Sequence, residues 1–271
     1  MKNSKVKLPI GVFDSGIGGI SVLAEILKLL SHEEFIYFAD TLHSPYGIKP
    51  ENIVQSLSIK AAEFLSLLGI KSLVIACNTA TSAAISNIRK MHTFPVIGME
   101  PAVKLAVDLK PKGKIIVMAT PLTLKSKKFN ELISHYTHLA EIILMPCAGL
   151  VEIIEQDYSD RRKIENYLAS LFSSREKKDI SVVVLGCTHY ILIKEEIMKI
   201  LGGEIHVIDG NYGTAKQLRT VLQNECLLNN TVIEKPCLPL KAQVKFYISG
   251  NGNGVEARCK QLLQQEGIIC E

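Results

Sequence analysis

The sequence predicts a parallel α/β fold, and two observations carry that reading. Nine short apolar runs each close on a polar or glycine-containing turn, and most are followed by a segment of helix length. Strands covered on both faces read as continuous apolar runs, and parallel strands need crossover helices between them. The runs also repeat. The one ending at Asp14 matches the one ending at Thr120, Asp40 matches Cys147, Cys77 matches Cys187 and Met99 matches Asp209, at offsets of 106, 107, 110 and 110 residues. A near-constant offset with the same order of elements is what two copies of one four-stranded unit give.

In chain order the runs occupy residues 10–13, 35–38, 73–76, 95–98, 115–118, 142–145, 182–185, 206–208 and 246–248. Between the second and third, Glu51 to Leu68 sets Ile53, Leu57, Ala61, Phe64, Leu65 and Leu68 on an apolar stripe and reaches Gly69 where a helix C-cap is wanted. Val255 to Gln265 reads as a closing helix after the turn Gly250-Asn251-Gly252-Asn253-Gly254. No flexible linker interrupts the series, so two domains would be tightly apposed. With 271 residues, 47% of them hydrophobic and 21% charged, the chain can bury the core of one large or two modest domains.

Composition also excludes. The 31 basic and 27 acidic residues leave a formal charge of +4, and the basic ones are scattered rather than gathered into a stripe with aromatics, so nucleic acid is not an expected partner. No apolar run approaches the eighteen or so residues of a membrane span, and Met1 to Leu8 lacks an apolar stretch behind its lysines. No membrane partner is expected, and the expected location is cytoplasmic. Seven cysteines without a C-x-x-C pair read as free thiols rather than a disulfide framework or a zinc knuckle.

Ligands of open α/β sheets collect at the carboxyl ends of strands, which here carry Asp14, Asp40, Cys77, Thr120, Cys147, Cys187 and Asp209. Asp14-Ser15-Gly16-Ile17-Gly18-Gly19 is a strand-to-helix turn but neither a dinucleotide fingerprint nor a P-loop; its glycines either turn the chain or open an anion cradle. Asp14 needs more than a turn, because a carboxylate at the end of a buried strand must be paired, solvated in a cleft or used. Asp40-Thr41-Leu42-His43-Ser44-Pro45-Tyr46-Gly47 is either a tight turn only, or one whose N–H groups and phenol hold a carboxylate.

Ala76-Cys77-Asn78-Thr79 and Gly186-Cys187-Thr188-His189-Tyr190 share a context: an apolar run delivers a cysteine to its tip, and two hydrogen-bonding side chains come next at a helix start. Helix N-termini and a neighbouring histidine lower thiol pKa values, so both sulfurs are expected to be reactive rather than small core hydrophobes. A metal reading of Cys187-x-His189 lacks further ligands. Taking a proton from one face of a carbon and returning one to the other needs two acid/base groups of like type, one thiolate and one thiol. That is the chemistry of a two-base racemase or epimerase.

On the stretches Gly11-Val12-Phe13-Asp14-Ser15-Gly16 with Gly18-Gly19, Ala39-Asp40-Thr41 with Pro45-Tyr46-Gly47, and the two cysteine motifs, the chain resembles the glutamate racemases of the cofactor-independent aspartate/glutamate racemase superfamily. Thr120-Pro121-Leu122-Thr123 with Ser126, Cys147 with Glu155 eight residues later, and Phe246-Tyr247-Ile248-Ser249-Gly250 extend the likeness over nearly the whole chain. The resemblance implies two similar α/β domains related by pseudo-twofold symmetry, residues 1–97 plus 210–271 and residues 98–209, with the active site in the cleft between them. It implies a small-molecule substrate, glutamate, with no cofactor and no metal, and leaves a homodimer open. Cys77 would take the α-proton from D-glutamate and Cys187 from L-glutamate, with Asp14 and His189 assisting. Asp14, Ser15, Tyr46, Gly47, Asn78, Thr79, Thr188 and His189 would bind substrate, and Thr120, Thr123 and Glu155 stand as secondary site residues. The role implied is supply of D-glutamate for bacterial peptidoglycan.

Two positions depart from the family pattern. Ile191 stands where proline usually comes after Cys-Thr-His-Tyr, removing a rigid helix start, and Gly210 comes after Asp209 where a serine is common. Neither is a proton-transfer residue. The alternatives are aspartate racemisation and non-catalytic amino-acid binding on the same fold, the latter needing neither cysteine.

Overall fold

The computed structural model describes residues 5–109, 112–157, 160–172, 179–202, 205–229, 239–250, 252 and 254–270. The chain opens with β1 (Ile10–Asp14), α1 (Ile20–Leu29), β2 (Phe35–Ala39), α2 (Glu51–Leu67), β3 (Ser72–Ile75), α3 (Asn78–Met91) and β4 (Val96–Gly98). Then come α4 (Val103–Asp108), β5 (Lys114–Ala119), α5 (Pro121–Lys125), α6 (Lys127–Ser134), β6 (Ile142–Pro146), α7 (Leu150–Asp157) and α8 (Arg161–Phe172). They are succeeded by β7 (Ile180–Leu185), α9 (Thr188–Ile191), α10 (Lys194–Leu201) and β8 (His206–Asp209). The chain closes with α11 (Asn211–Asn224), β9 (Leu240–Ala242), β10 (Val244–Ile248), α12 (Val255–Gln265) and β11 (Ile268–Cys270).

All nine expected strands are present, and the repeat is visible in their order. The first sheet contains β2-β1-β3-β4 and the second β6-β5-β7-β8, the same permutation with parallel pairing throughout. β10 breaks the symmetry by adding in parallel to the free edge of β2, so the end of the chain returns to the first sheet. The sequence reading missed β9 and β11, which pair with each other over three residues, too short for a hydrophobic period to register.

Alternating strand residues feed two helical layers per sheet. Ile10, Val12, Tyr37 and Val74 pack with Leu23 and Leu27 of α1, Leu218 and Leu222 of α11 and Leu263 of α12, while Phe13, Leu73 and Ile75 pack with Leu65 of α2 and Ile85 and Ile88 of α3. In the second lobe Ile116, Met118, Val183 and Leu185 meet Ile154, Leu168 and Ile197, and Ile115, Val117, Val182 and Val184 meet Val103, Phe129 and Ile133. Each such side chain, fully buried, contributes about 1.5–3 kcal/mol. α2 stops as expected: Leu68 is its C-cap and Gly69 comes next at φ 78°, a left-handed conformation that disfavours a side chain. α12 spans the expected residues; of the turn before it, Asn251 and Asn253 lie outside the described residues. Among the described residues no helix is long and apolar enough to cross a membrane.

Candidate active site

The carboxyl ends of the two sheets face each other, and the first thiol stands there. Cys77 lies beyond β3 as the N-cap of α3; its Sγ accepts the Ala80 N–H at 3.4 Å and lies 3.5 Å from Ser15 Oγ. The sequence predicts a lowered thiol pKa, and the structure corrects this. Burial, reinforced by the charge of Asp14, pushes the Cys77 thiol up to about 12, and the bonds from Ser15 and Ala80 offset only part of the rise. Stripping water from a thiolate costs more here than the helix start returns.

Cys187 is reached from β7 through Gly186, where an added Cβ would meet the Met118 carbonyl oxygen at 2.9 Å, so only glycine lets this turn run against β5. It caps α9, which has only four residues. Cys187 Sγ is 3.9 Å from His189 Nδ1, and the other ring nitrogen, Nε2, is 2.6 Å from Glu155 Oε1. Burial opposes a charge on His189, but its bonds to Cys187 and Glu155 outweigh this and hold its pKa well above the ordinary value. Burial likewise pushes Glu155 up, yet His189, the Ile17 N–H at 3.3 Å and Arg258 together bring its carboxyl below the usual range.

Asp14 is fully buried and paired. Its Oδ2 accepts the Gly16 N–H at 3.1 Å and its Oδ1 the Thr188 hydroxyl at 3.3 Å, a bond between the lobes. Burial raises its pKa to about 6, with His189 as the main counterweight. The glycines after it serve close approach as well as the turn. A Cβ on Gly16 would overlap the Glu155 carboxylate, and one on Gly18 would meet the His189 backbone nitrogen at 2.7 Å. Thus Asp14, Ser15, Cys77, Cys187, Thr188, His189 and Glu155, read separately from the sequence, form one cluster.

The remaining expected residues line its edge. Thr79, Thr120 and Thr123 form a triangle of hydroxyls at 2.9–3.1 Å, joining α3 to the end of β5. Gly47 sits so tightly on Thr120 that a Cβ there would come within 2.5 Å of the threonine Cβ. Asn78, beside Cys77, is buried with neither side-chain polar atom partnered. Unmade hydrogen bonds of this kind cost about 1–3 kcal/mol each, and a polar ligand in the cleft would relieve that cost.

The Tyr46 phenol donates to Asp40 Oδ2 at 2.5 Å, and Asp40 also accepts Ser249 Oγ at 2.7 Å and lies 2.8 Å from His43 Nδ1, so the turn that carries Tyr46 and Gly47 is held by its own side chains. Sequence reasoning missed Tyr37, whose hydroxyl donates to the Gly16 carbonyl at 2.9 Å and fixes the glycine turn from below. Inside the run Phe35-Ile36-Tyr37-Phe38 it reads as core, and nothing local signals its partner. Among the described residues no group of three or more His, Cys, Asp and Glu is placed to hold a metal ion.

A family profile described as Asp/Glu/Hydantoin racemase matches residues 10–218. The chain is 52% identical to a glutamate racemase of Clostridium novyi (strain NT) over 223 residues, covering 82% of this chain and 86% of the relative. It is 50% identical to a glutamate racemase of Clostridium acetobutylicum over 82% of this chain and 86% of the relative. The crystal structure of a glutamate racemase isoform from Bacillus anthracis superposes with a TM-score of 0.83 at 29% identity, covering 97% of this chain and 96% of that one. A glutamate racemase from Francisella tularensis, solved in complex with D-glutamate, gives 0.80 at 30% identity over 98% and 97%. With a matched profile spanning most of its length and half of the aligned residues shared with such relatives, this chain belongs to the Asp/Glu/hydantoin racemase family, whose members are isomerases.

Proposed function

We propose that the protein interconverts L- and D-glutamate by moving the α-proton between two cysteines. The observation that carries this is the pair of buried thiols at equivalent strand ends of two like sheets, one beside Ser15 Oγ at 3.5 Å and the other beside His189 Nδ1 at 3.9 Å. From L-glutamate, a Cys187 thiolate takes the α-proton, the electron pair stays on the α-carbon, and Cys77 gives its proton to the opposite face. From D-glutamate the roles reverse. The raised pKa of Cys77 keeps it a thiol at rest, the state needed for donation. His189, in contact with Cys187, is placed to exchange a proton with it, and the charge of Asp14 bears on Cys77. Asn78, Thr79 and Thr188, with Ser15 and the turn of Tyr46 and Gly47, supply polar groups for the amino acid's charged ends. Substrate specificity for glutamate is supported by the names of the relatives, and the same likeness supports a role in supplying D-glutamate for peptidoglycan. The membership of β1–β4 and β10 in one sheet and β5–β8 in the other supports domains at 1–97 plus 210–271 and 98–209.

Circular dichroism of L-glutamate with purified protein and no added cofactor tests the reading. The signal should decay to zero, because enantiomers in water are equal in free energy, and should do so after treatment with carbonyl-trapping reagents. Decay of L-aspartate instead would move the specificity to aspartate, and no decay of either would leave a binding protein. Primary isotope effects on kcat/KM then assign the thiols. Cys77→Ser should enlarge the effect for α-deuterated D-glutamate and shrink it for the L isomer, and Cys187→Ser should do the reverse.

A further inference from the structure

We propose that Arg258 is a positioning residue that latches the two lobes together and sets the Glu155–His189 pair for proton transfer at Cys187; this rests on the two-thiol reading above. α12 belongs to the first lobe, where Cys259, Leu262 and Leu263 are buried against β1, β2 and α1. Arg258, half-buried on the same helix, reaches the second lobe instead. Its Nη1 donates to the Glu155 carbonyl and its Nη2 to the Ile154 carbonyl, each at 3.0 Å.

Both carbonyls belong to the last turn of α7, where helix carbonyls have no intrahelical donor and the dipole favours a cation. The planar guanidinium can serve two adjacent carbonyls at once, and an ammonium cannot match that geometry. Glu155 is also the residue whose carboxylate meets His189 Nε2 at 2.6 Å and the Ile17 N–H at 3.3 Å. Ile17 is packed in the first lobe. The first lobe therefore grips Glu155 at both ends, its side chain through Ile17 and its backbone through Arg258. Separating the lobes breaks both grips and leaves His189 without a fixed carboxylate. The histidine that serves Cys187 is thus in register only when the cleft is closed, and Arg258 makes that dependence.

The test uses the full chain with Arg258→Met and Arg258→Lys, comparing isotope effects for both α-deuterated enantiomers of glutamate. In the Met variant kcat should fall tenfold or more while KM moves less than threefold. The effect on kcat/KM should grow for L-glutamate and shrink for D-glutamate, the pattern of a weakened Cys187. The Lys variant, which keeps the charge but not the fork, should recover part of kcat and show the same asymmetry in smaller degree. A purely structural arginine would lower activity with the wild-type pair of isotope effects unchanged, and that result, or no loss at all, overturns the latch. Should the Met variant fail to fold by circular dichroism, the Lys variant decides by the same criterion. Wild-type protein inert toward glutamate would instead overturn the reading beneath the proposal.

Discussion

Thr188 of the second lobe donates its hydroxyl to Asp14 Oδ1 of the first at 3.3 Å, so the turn that carries Cys187 helps satisfy the buried carboxylate beside Cys77. The two halves of the cleft are thereby coupled electrostatically as well as sterically. Asp14 is enclosed because the lobes meet, and that enclosure is the cause of its elevated pKa.

Folding raises the Asp14 pKa from 3.8 to about 6, so the folded state holds that proton more tightly than the unfolded one. Its stabilising contribution is fully present below pH 3.8 and is lost as pH rises through 6, a change on the order of 3 kcal/mol. Asp14→Asn should remove this dependence: relative to wild type, the variant becomes more stable by about that amount between pH 4 and 7, while kcat/KM drops roughly 100-fold. Urea unfolding at pH 4, 5, 6 and 7 measures the difference, and parallel curves for the two proteins would contradict it.

His189 and Glu155 shift in opposite directions. The raised His189 pKa contributes stability that is full below 6.5 and lost as pH rises through its higher folded value; the lowered Glu155 pKa contributes above 4.5 and is lost as pH falls through its folded value. Glu155→Gln should therefore cost about 3 kcal/mol near pH 6, and less once the medium is alkaline enough to discharge His189. The imidazole titration followed by NMR should also move down toward its ordinary range. A His189 titration unchanged in the variant would show that Glu155 does not hold its charge.

Gly18 separates space from conformation. A Cβ there would meet the His189 backbone nitrogen at 2.7 Å and Thr188 Oγ1 at 2.5 Å, and backbone cannot step aside without parting the lobes. Gly18→Ala should cost about 1–3 kcal/mol by overpacking and about 100-fold in kcat/KM through misplacement of the catalytic groups. Gly213→Ala, in α11 with open space around it, should leave activity unchanged and raise stability by up to about 1 kcal/mol. Thermal melts and kinetics of the two variants side by side check both statements.

Lys71 and Glu33 form a buried ion pair at 2.5 Å, away from the cleft, with Lys71 Nζ also donating to the Val6 carbonyl and Glu33 Oε1 accepting the Asn229 N–H. Lys71→Met should destabilise by about 3–5 kcal/mol because Glu33 is left charged and buried, whereas Lys71→Met with Glu33→Leu should recover most of that loss. Racemisation at 25 °C should be unaffected in the double variant. Equal instability of the single and double variants would show that the pair's worth lies in its bonds to Val6 and Asn229.

Neighbours along the chain set the elements. Runs such as Leu73-Val74-Ile75-Ala76 and Val182-Val183-Val184-Leu185 mark buried parallel strands by composition alone, and the polar residue that closes a run, such as Asp14, Cys77 or Cys187, lands at a strand end by chain geometry. The repeat was legible for the same reason, since spacing survives where side chains do not. The tertiary structure alone decided how each group is partnered. Cys77 looks activated beside a helix start, yet enclosure next to Asp14 drives its pKa up to about 12. Tyr46 gives no local sign that its phenol donates to Asp40, and Tyr37 looks like core until Gly16 comes to lie against it. Arg258 gives no local sign that it ends a helix a hundred residues earlier. Backbone periodicity is set by neighbours along the chain, whereas desolvation and hydrogen-bond satisfaction depend on which distant segment arrives to exclude the water.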